Sequence, residues 1–521
     1  MTLKTSIIKK LQPSRNRVLI TFLSLILISF TFSAPHAATI NVPDDQPTIQ
    51  AGIDAAFEGD TVLIAPGTYT GDGNWDVSFL GKDIVVKSDG DTVAVDAYDP
   101  VEEEYHRGFL FINGETSDAI LQGITITNAY VDTGSGVLVN GASPSIKDCW
   151  FYKCGEQSSW PYDIVNAGAG AACLGGSGAT FTNCRFEQCN AQSGGGVFIR
   201  ASSEVSIMDC DFENCYGGEA RLANYLGSGP AVYVQNSNPT ITGCRILNNT
   251  MGYFQLGTFG SAGIMLVDAS PTISYCTFAG NEARDDLLFG AAALWVRGGA
   301  PTITNCTFYD NRTLNNRNRN ASLCITLENS AALISHCLIA FNKARFPSSY
   351  YETSTIVWHI DTLNPQSPTI EYNIIYGNTD GDFSNQLVPL RDVNGNLQLD
   401  PRFCDTAASN FHLASNSWAS PDNNPCGELI GAWPVDSTCP IVACCVGRRG
   451  NVDNSPDDLM SIGDLTKLID ILFISLLPPN CWEEANLDES QPEGEGSLSL
   501  GDLTALIDYL FITLEQPPPC P

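Results

Sequence analysis

Apolar and polar residues alternate in short stretches along most of this chain, and the stretches repeat. The segment SPTISYCTFAGN at residues 270–281 is followed by a near copy, APTITNCTFYDN, at residues 300–311. In the first copy, Cys276 and Phe278 alternate with polar neighbours, as in a strand with one buried face. The step from Ile273 to Cys276 is one residue too long for that alternation. A tight turn just before Cys276 would return both side chains to the interior, so each copy predicts two strands joined by a turn.

The centre of this segment recurs along the chain at intervals near 30 residues. The aligned centres are Cys149, Cys184, Cys210, Cys244, Cys276, Cys306, Cys337 and Asn373. A third strand precedes each centre, reading GVFI at 196–199, AVYV at 231–234 and ALWV at 293–296. Three short strands cannot enclose a core, so successive units are expected to stack into parallel sheets around a shared interior.

The residue before each centre should occupy the predicted turn. Most of these residues are Gly, Asn or Asp, which tolerate turn conformations, whereas Tyr275, His336 and Tyr372 fit the turn poorly.

Stacking places the central cysteines above one another as a column of small apolar side chains. A zinc site is the alternative, but zinc needs deprotonated ligands in a closed cluster, so we favour packing. Oxidation of some adjacent cysteine pairs stays open in a secreted chain. A second column, able to hydrogen-bond along the stack, lies five positions after the centres. Its members are Asn249, Asn281, Asn311, Asn342 and Asn378.

The first 38 residues are typical of a secretory signal peptide. Lysines and arginines precede the apolar run VLITFLSLILISFTF at 18–32, and the small-residue stretch APHAA follows at 34–38. The run is about fifteen residues long, against roughly twenty for a membrane span, and an uncleaved anchor is the alternative. We therefore expect a secreted or extracellular protein, with attachment to the cell surface left open.

The stacked unit resembles the right-handed parallel β-helix of the pectin-lyase-like superfamily. The opening at residues 40–69 agrees, because Pro47 suits a first helical turn and Ile49, Ile53 and Phe57 recur at helical spacing. A short helix there would cap the open end of the stack. The resemblance implies an all-β solenoid over residues 39–440. It also implies lyase, glycoside hydrolase or esterase activity on polysaccharides, although fold alone does not fix function.

The outward positions of the third strand form a candidate polysaccharide-binding face. Phe198, Tyr233 and Trp295 are expected to point outward, and flat aromatic rings along a groove suit stacking on sugars. The polar residues expected beside them on the same face are Arg200, Gln235, Arg297 and Glu328. The alternative is that the long preceding loops cover the aromatic rings as a second apolar cluster.

The loops are the expected location of catalytic groups. The segment EARDD at 282–286 offers the carboxylates Asp285 and Asp286 beside Arg284. Such a pair can share a proton, act as acid and base, or hold calcium, whereas most acidic runs are only solvated loop faces. The clustered Asp and Gly-His-Gly pattern of polygalacturonases is absent from the sequence, and the histidines form no motif.

The net charge of −32 argues against nucleic acid as a partner. Seven cysteines lie downstream of the repeated segments and suggest disulfides in a secreted chain. They are Cys404, Cys426, Cys439, Cys444, Cys445, Cys481 and Cys520. The last four allow three pairings.

A different repeat begins at residue 450. GNVDNSPDDLMSIGDLTKLIDILFI at 450–474 is followed by ANLDESQPEGEGSLSLGDLTALIDYLFI at 485–512. Each half predicts an acidic loop and then an amphipathic helix. The loops present oxygen-bearing side chains in an EF-hand-like order that suits calcium. These are Asn451, Asp453, Ser455 and Asp464, then Asn486, Asp488, Ser490 and Asp502.

This tandem arrangement resembles a type I dockerin, and we assign residues 441–521 to a dockerin-like domain. The resemblance implies calcium binding, a cohesin-like partner and association with polysaccharide degradation. Ser455 and Ser490 replace the usual Asp, and the usual Ser/Thr recognition pair is replaced by Ile462-Gly463 and Leu500-Gly501. The leading hypothesis is a secreted protein that binds or cleaves polysaccharide. The alternative is a non-catalytic surface, adhesin or scaffold protein.

Overall fold

A computed structural model describes most of the chain downstream of residue 36. The described residues are 37–90, 92–155, 167–202, 204–217, 228–252, 259–284, 289–314, 322–344, 354–360, 365–379, 381–439, 445, 449–453, 459–475, 479, 481–488, 498–514, 516–518 and 520. Within these ranges, no helix has both the length and the apolar character to cross a membrane.

The described strands form a parallel β-helix with three long sheets, to which most coils contribute one strand each. The first sheet contains Thr39–Val42, Thr61–Ile64, Val85–Ser88, Ile120–Gln122, Ser145–Lys147, Thr180–Thr182, Ser206–Met208, Thr240–Thr242, Thr272–Ser274, Thr302–Thr304, Leu333–Ser335 and Thr369–Glu371. The second contains Gly67–Tyr69, Val93–Asp96, Ile124–Thr127, Trp150–Tyr152, Arg185–Glu187, Asp211–Glu213, Arg245–Leu247, Thr277–Ala279, Thr307–Tyr309, Leu338–Ala340 and Ile374–Tyr376. The predicted solenoid architecture is therefore confirmed.

The third sheet contains the strand predicted ahead of each centre. Its strands are Val77–Ser78, Phe109–Phe111, Val137–Asn140, Ala171–Leu174, Val197–Arg200, Val232–Gln235, Phe259–Ser261, Ile264–Val267, Phe289–Ala291, Leu294–Arg297, Ser322–Glu328 and Ser354–His359. A shorter fourth sheet contains Asn190–Ala191, Tyr216–Gly217, Thr250–Met251, Glu282–Ala283, Arg312–Thr313 and Lys343–Ala344. Two antiparallel pairs lie outside these sheets, Tyr98–Asp99 with Glu104–Tyr105 and Phe403–Asp405 with Asn410–Leu413.

The turn predicted before each centre is a single residue in the left-handed region. The turn residue has φ of 52° at Asn183 and 49° at Asn305. Tyr275, His336 and Tyr372 adopt the same conformation, with φ of 53°, 53° and 56°. Stacking therefore imposes one backbone path on every coil, even where the side chain disfavours it.

The cysteine column, Cys149, Cys184, Cys210, Cys244, Cys276, Cys306 and Cys337, is buried, and all its thiols are free. Phenylalanines stack beside it. The ring centroids of Phe151 and Phe186 are 4.6 Å apart, and those of Phe186 and Phe212 are 4.8 Å apart. Burial raises the pKa of Cys324 and raises that of Cys173 to about 12. The burial and the free state of the column thiols agree with packing as their role.

The asparagine ladder, Asn249 to Asn378, also forms as expected. The Asn281 Nδ2 donates to Asn311 Oδ1 at 2.9 Å, and the Asn281 backbone N–H donates to the same oxygen at 3.2 Å. The last asparagine, Asn378, donates from Nδ2 to Asp382 Oδ1 at 3.0 Å. The buried amides from Asn249 to Asn342 therefore depend on the next coil for a hydrogen-bond partner.

Helix α1, Ile49–Ala55, closes the amino-terminal end of the solenoid. Thr48 caps it, because the Thr48 hydroxyl accepts a hydrogen bond from the Ala51 N–H. Ile49 and Ile53 are buried as predicted. Phe57 is 78% exposed, so its predicted place on the apolar face is wrong. The helix ends two residues earlier, at Ala55.

The segment after the last coil returns over the second sheet. Phe403 and Phe411 pack edge-on or tilted against Tyr309, with ring centroids 5.6 and 5.2 Å away. The Trp433 Nε1–H donates to the Thr277 hydroxyl at 2.7 Å. A disulfide joins Cys404 and Cys439 within this segment. The later coils of the second sheet are therefore covered, whereas the earlier coils lie beyond the segment.

The carboxyl-terminal region is helical. Helix α2, Ile462–Ile469, continues as a π turn over Asp470–Ile474. Helix α3 is Trp482–Ala485, and helix α4 is Leu500–Phe511. Leu468 and Leu506, the paired leucines of the two repeats, are both buried in one cluster. A disulfide links Cys445 to Cys520.

Candidate functional site

Strand register aligns the predicted polar residues along one edge of the third sheet. Arg200 pairs in register with Gln235, and Arg297 pairs with Glu328. Val267 lies between the two pairs. His359 follows Glu328 on the next strand. We call Arg200, Gln235, Arg297, Glu328 and His359 the polar row.

The aromatic residues beside the polar row are not exposed as expected. Phe198, Tyr233 and Trp295 belong to an apolar cluster separate from the coil interior, so they do point outward. They are nevertheless only 7%, 4% and 0% exposed. The open aromatic groove is therefore not observed. The rings instead form a second apolar cluster, as in the alternative, with Met265, Ala167 and other apolar residues packed around them. Of the residues predicted for this face, those of the polar row remain accessible at the edge.

Charge and burial shift the pKa values of two residues in the polar row, Glu328 and His359. Arg297 Nε lies 3.8 Å from Glu328 Oε2, and about a third of the Glu328 side chain is exposed. Burial raises the pKa of Glu328, and the Arg297 guanidinium only partly opposes that rise. Burial lowers the pKa of His359. A carboxyl held toward its neutral form thus lies beside an imidazole held toward its neutral form, as in acid–base sites.

His359 was missed by sequence reasoning. Its strand lacks the glycine or alanine that opens most third-sheet strands, and no histidine motif surrounds it. The available signal was positional: His359 falls 31 residues after Glu328, one period of the repeat.

The acidic loop prediction is only partly visible. Asp285 and Asp286 lie outside the described residues. Arg284 follows a fourth-sheet strand and forms an ion pair with Glu282. The strand assignment therefore places Arg284 next to the fourth sheet, whereas the polar row lies on the third.

The two carboxyl-terminal loops have matching geometry. Asp464 Oδ1 accepts from the Asp453 N–H at 3.0 Å, and Asp502 Oδ1 accepts from the Asp488 N–H at 3.1 Å. Each acid also caps its helix, because Asp464 accepts from the Ser461 N–H. Burial raises the pKa of Asp464, and repulsion from Asp453 adds to the rise.

The second loop shows the same electrostatics, with the pKa of Asp502 raised by burial and by Asp488. Glycine makes room for the carboxylates. A Cβ on Gly463 would lie 2.3 Å from Asp453 Oδ2. Asn451 and Asn486 lie in the same loops, whereas Ser455 and Ser490 lie outside the described residues. The donors are hard oxygens around paired acids, which is a fit for calcium.

Among the described residues, one group of three potential metal ligands is close enough to bind an ion, and it consists of Cys445, Glu484 and Cys520. Cys445 and Cys520 are joined in a disulfide. Their sulfurs are therefore not available as thiolate ligands.

A family model described as "Right handed beta helix region" matches residues 107–291 and 258–392. A pectate lyase structure, Pel9A, has a TM-score of 0.37 and 13% identity, covering 77% of this chain and 96% of its own. An alginate lyase from Paenibacillus sp. has a TM-score of 0.23 and 12% identity, covering 55% of this chain and 97% of its own. The receptor-binding tailspike protein of bacteriophage Det7 has a TM-score of 0.21 and 11% identity, covering 76% and 84%. No curated protein sequence matches significantly.

Proposed function

The chain belongs to the right-handed β-helix family, and on that premise we propose that it binds and cleaves a polysaccharide along the polar row. The observation that carries the proposal is the placement of Arg297, Glu328 and His359 at one register position on three adjacent strands. Neighbouring parallel strands lie about 4.8 Å apart. A cation, an acid and a base are thus within reach of one sugar linkage.

The preferred substrate carries carboxylates, because Arg200 and Arg297 place two guanidiniums in the polar row. Arg297 neutralises the carboxylate of the bound sugar and thereby acidifies the adjacent C–H. His359 takes that proton. The electron pair of the broken C–H bond then forms a carbon–carbon double bond as the C–O bond to the leaving sugar breaks. Glu328 donates its proton to the leaving oxygen. The step is a β-elimination that consumes no water and needs no further reactant.

Product release from acidic polysaccharides tests this function. Wild-type protein should produce chain ends with the ultraviolet absorbance of a conjugated double bond. The Glu328→Gln and His359→Asn variants should lose about 10²-fold or more, the usual contribution of a general acid or base. Glu371→Gln, on the first sheet, is the matched control and should retain activity. Binding without product release by the wild type would favour the alternative of a non-catalytic adhesin or scaffold.

For the carboxyl-terminal region, we infer a calcium-binding, dockerin-like module that attaches the solenoid to a partner. The loop acids, the capping geometry and the duplicated helices support this inference. The ligands would be Asn451, Asp453, Ser455 and Asp464 in one loop, and Asn486, Asp488, Ser490 and Asp502 in the other. Bound calcium would offset the repulsion between the paired acids in each loop.

A cohesin-like domain is the proposed partner of this module. Ile462 and Leu500 are exposed at equivalent positions of the two helices, and so are Phe473 and Phe511. This apolar surface replaces the polar recognition pair usual in dockerins, so the partner should present an apolar face. Binding of a purified type I cohesin, and its loss in Ile462→Asp with Leu500→Asp, would support the assignment. No binding by the calcium-loaded chain would refute it.

The proposed location is extracellular. The Cys404–Cys439 and Cys445–Cys520 disulfides support it, because such bonds persist in oxidising compartments. Recovery of the protein from the culture medium or cell surface, with residues 1–38 removed, is the expected result.

A further inference from the structure

The second sheet presents a separate surface on the coils that the carboxyl-terminal segment leaves open. The side chains of Trp150 and Tyr152 project from the same side of one strand, and their ring centroids are 5.1 Å apart. Trp150 is 36% exposed. Two adjacent rings form a contiguous apolar patch on an otherwise polar face, which is typical of a recognition surface.

The neighbouring strands give this patch a stepped shape. Trp150 and Tyr152 are in register with Thr125 and Thr127 on the preceding strand, which are much smaller. On the following strand, the Arg185 guanidinium lies over the Trp150 ring, 5.3 Å from its centroid. Arg185 therefore occupies one face of the indole, and the strand on the other side of Trp150 carries Thr125 and Thr127. We call Trp150, Tyr152, Thr125 and Thr127 the aromatic step.

The charged groups around the aromatic step show no excess of cations. Arg185 lies 3.0 Å from carboxylate oxygens of both Glu187 and Glu213, and Arg245 pairs with Asp211 at 2.5 Å. The Lys153 ammonium lies over the Tyr152 ring, 5.3 Å from its centroid. These three cations face four carboxylates once Asp96, the register partner of Thr127, is counted, in a chain of net charge −32. A surface with no excess of positive charge repels a polyanion and favours an uncharged ligand, unlike the polar row with its two arginines.

We propose that the aromatic step is a second glycan site, which takes a neutral, hydroxyl-rich polysaccharide. The apolar face of a sugar ring packs on Trp150, and its hydroxyls exchange hydrogen bonds with Thr125 and Thr127. Asp96, which accepts from Asn128 Nδ2 at 3.0 Å, borders the same strand and adds an acceptor. This proposal rests on the proposed function only in taking a polysaccharide as the ligand. The ligand here is uncharged, and Glu328 takes no part in binding it.

Affinity electrophoresis of the full chain tests the proposal. Native gels would contain galactomannan, hydroxyethylcellulose or soluble starch, and a separate gel would contain polygalacturonate. Wild-type protein should be retarded in at least one neutral gel. Trp150→Ala should weaken that binding by about tenfold, as expected for loss of one aromatic contact, and Trp150→Phe should restore part of it. Tyr275→Ala, which removes an exposed ring from a first-sheet turn, should bind as the wild type does.

Two outcomes would overturn the proposal. One is a wild type that no neutral gel retards, and the other is a Trp150→Ala variant retarded as strongly as the wild type. Glu328→Gln separates the two sites, because it should lose product release while keeping wild-type retardation in the neutral gel. Trp150→Ala should in turn keep product release from short acidic oligosaccharides. A negative result for the aromatic step would therefore not count against the polar row. A negative result for the polar row would likewise not count against the aromatic step.

Discussion

Glu328 and His359 are register partners on neighbouring parallel strands, so their side chains leave the coil at the same height on the same face. This relationship arises from the period of the repeat and not from proximity in sequence. Two groups with opposite proton demands are thereby held side by side without a dedicated loop. The arrangement makes the pH dependence of cleavage informative.

Cleavage should peak between the ordinary pKa values of the two groups, 4.5 for Glu and 6.5 for His. Burial raises the pKa of Glu328, so the acid keeps its proton further above 4.5. Burial lowers the pKa of His359, so the base stays neutral further below 6.5. Both shifts enlarge the fraction of active protein inside that window. A bell-shaped profile of kcat/KM should show it, and a maximum above pH 8 would contradict these roles.

Substitution of Asn311 by Leu should destabilise the solenoid. Asn311 Oδ1 accepts from both Nδ2 and the backbone N–H of Asn281, and Asn311 Nδ2 donates to the Phe278 carbonyl. Leucine leaves these buried groups unpaired, at about 1–3 kcal/mol each before relaxation. Urea unfolding followed by circular dichroism should show a lower midpoint. Thr302→Ala, at a half-buried position of the first sheet, should shift the urea midpoint little.

Asp382→Asn should stabilise the protein at neutral pH. Burial raises the pKa of Asp382 above its ordinary 3.8, even though Asn378 and Gln398 donate to the carboxylate. A raised pKa means that folding favours the protonated acid. The associated stability is complete below pH 3.8 and is lost as pH rises through the folded-state value.

The stability difference between the Asp382→Asn variant and the wild type should therefore grow with pH. It should approach about 1.4 kcal/mol for each unit of the pKa rise. Thermal unfolding at a series of pH values measures that difference. Equal melting temperatures for the two proteins across the series would contradict the account.

Calcium should stabilise the carboxyl-terminal region. At a hundredfold excess over the dissociation constant, one site adds about 2.7 kcal/mol. Asp464→Asn and Asp502→Asn should each reduce the calcium-dependent rise in melting temperature, because they remove a loop charge while keeping a capping oxygen. Asp508→Asn, at the far end of helix α4, is the matched control. An unchanged melting temperature with calcium in the wild type would exclude the metal sites.

The repeat allowed the coil architecture to be predicted with little error. Spacing between cysteines located the strands, the turns and both buried columns, because each coil must match its neighbours. The turns at Tyr275, His336 and Tyr372 show the strength of that constraint, since local preference alone argued against them.

Features outside the repeat could not be predicted from the sequence alone. Whether Trp295 is exposed or covered was left open between two alternatives, because alternation reports only which way a side chain leaves its strand and not what packs over it. The return of Trp433 over Thr277 spans 156 residues and has no periodic signal. His359 required a count of coils and not a motif.

The twelve buried free cysteines have a practical consequence. A reagent that alkylates thiols can reach them only when a coil separates from its neighbours. The native chain thus carries its own set of internal probes, with at least one in each coil from Cys149 to Cys337. Mass spectrometry of labelled peptides would then reveal in what order the solenoid comes apart, and from which end.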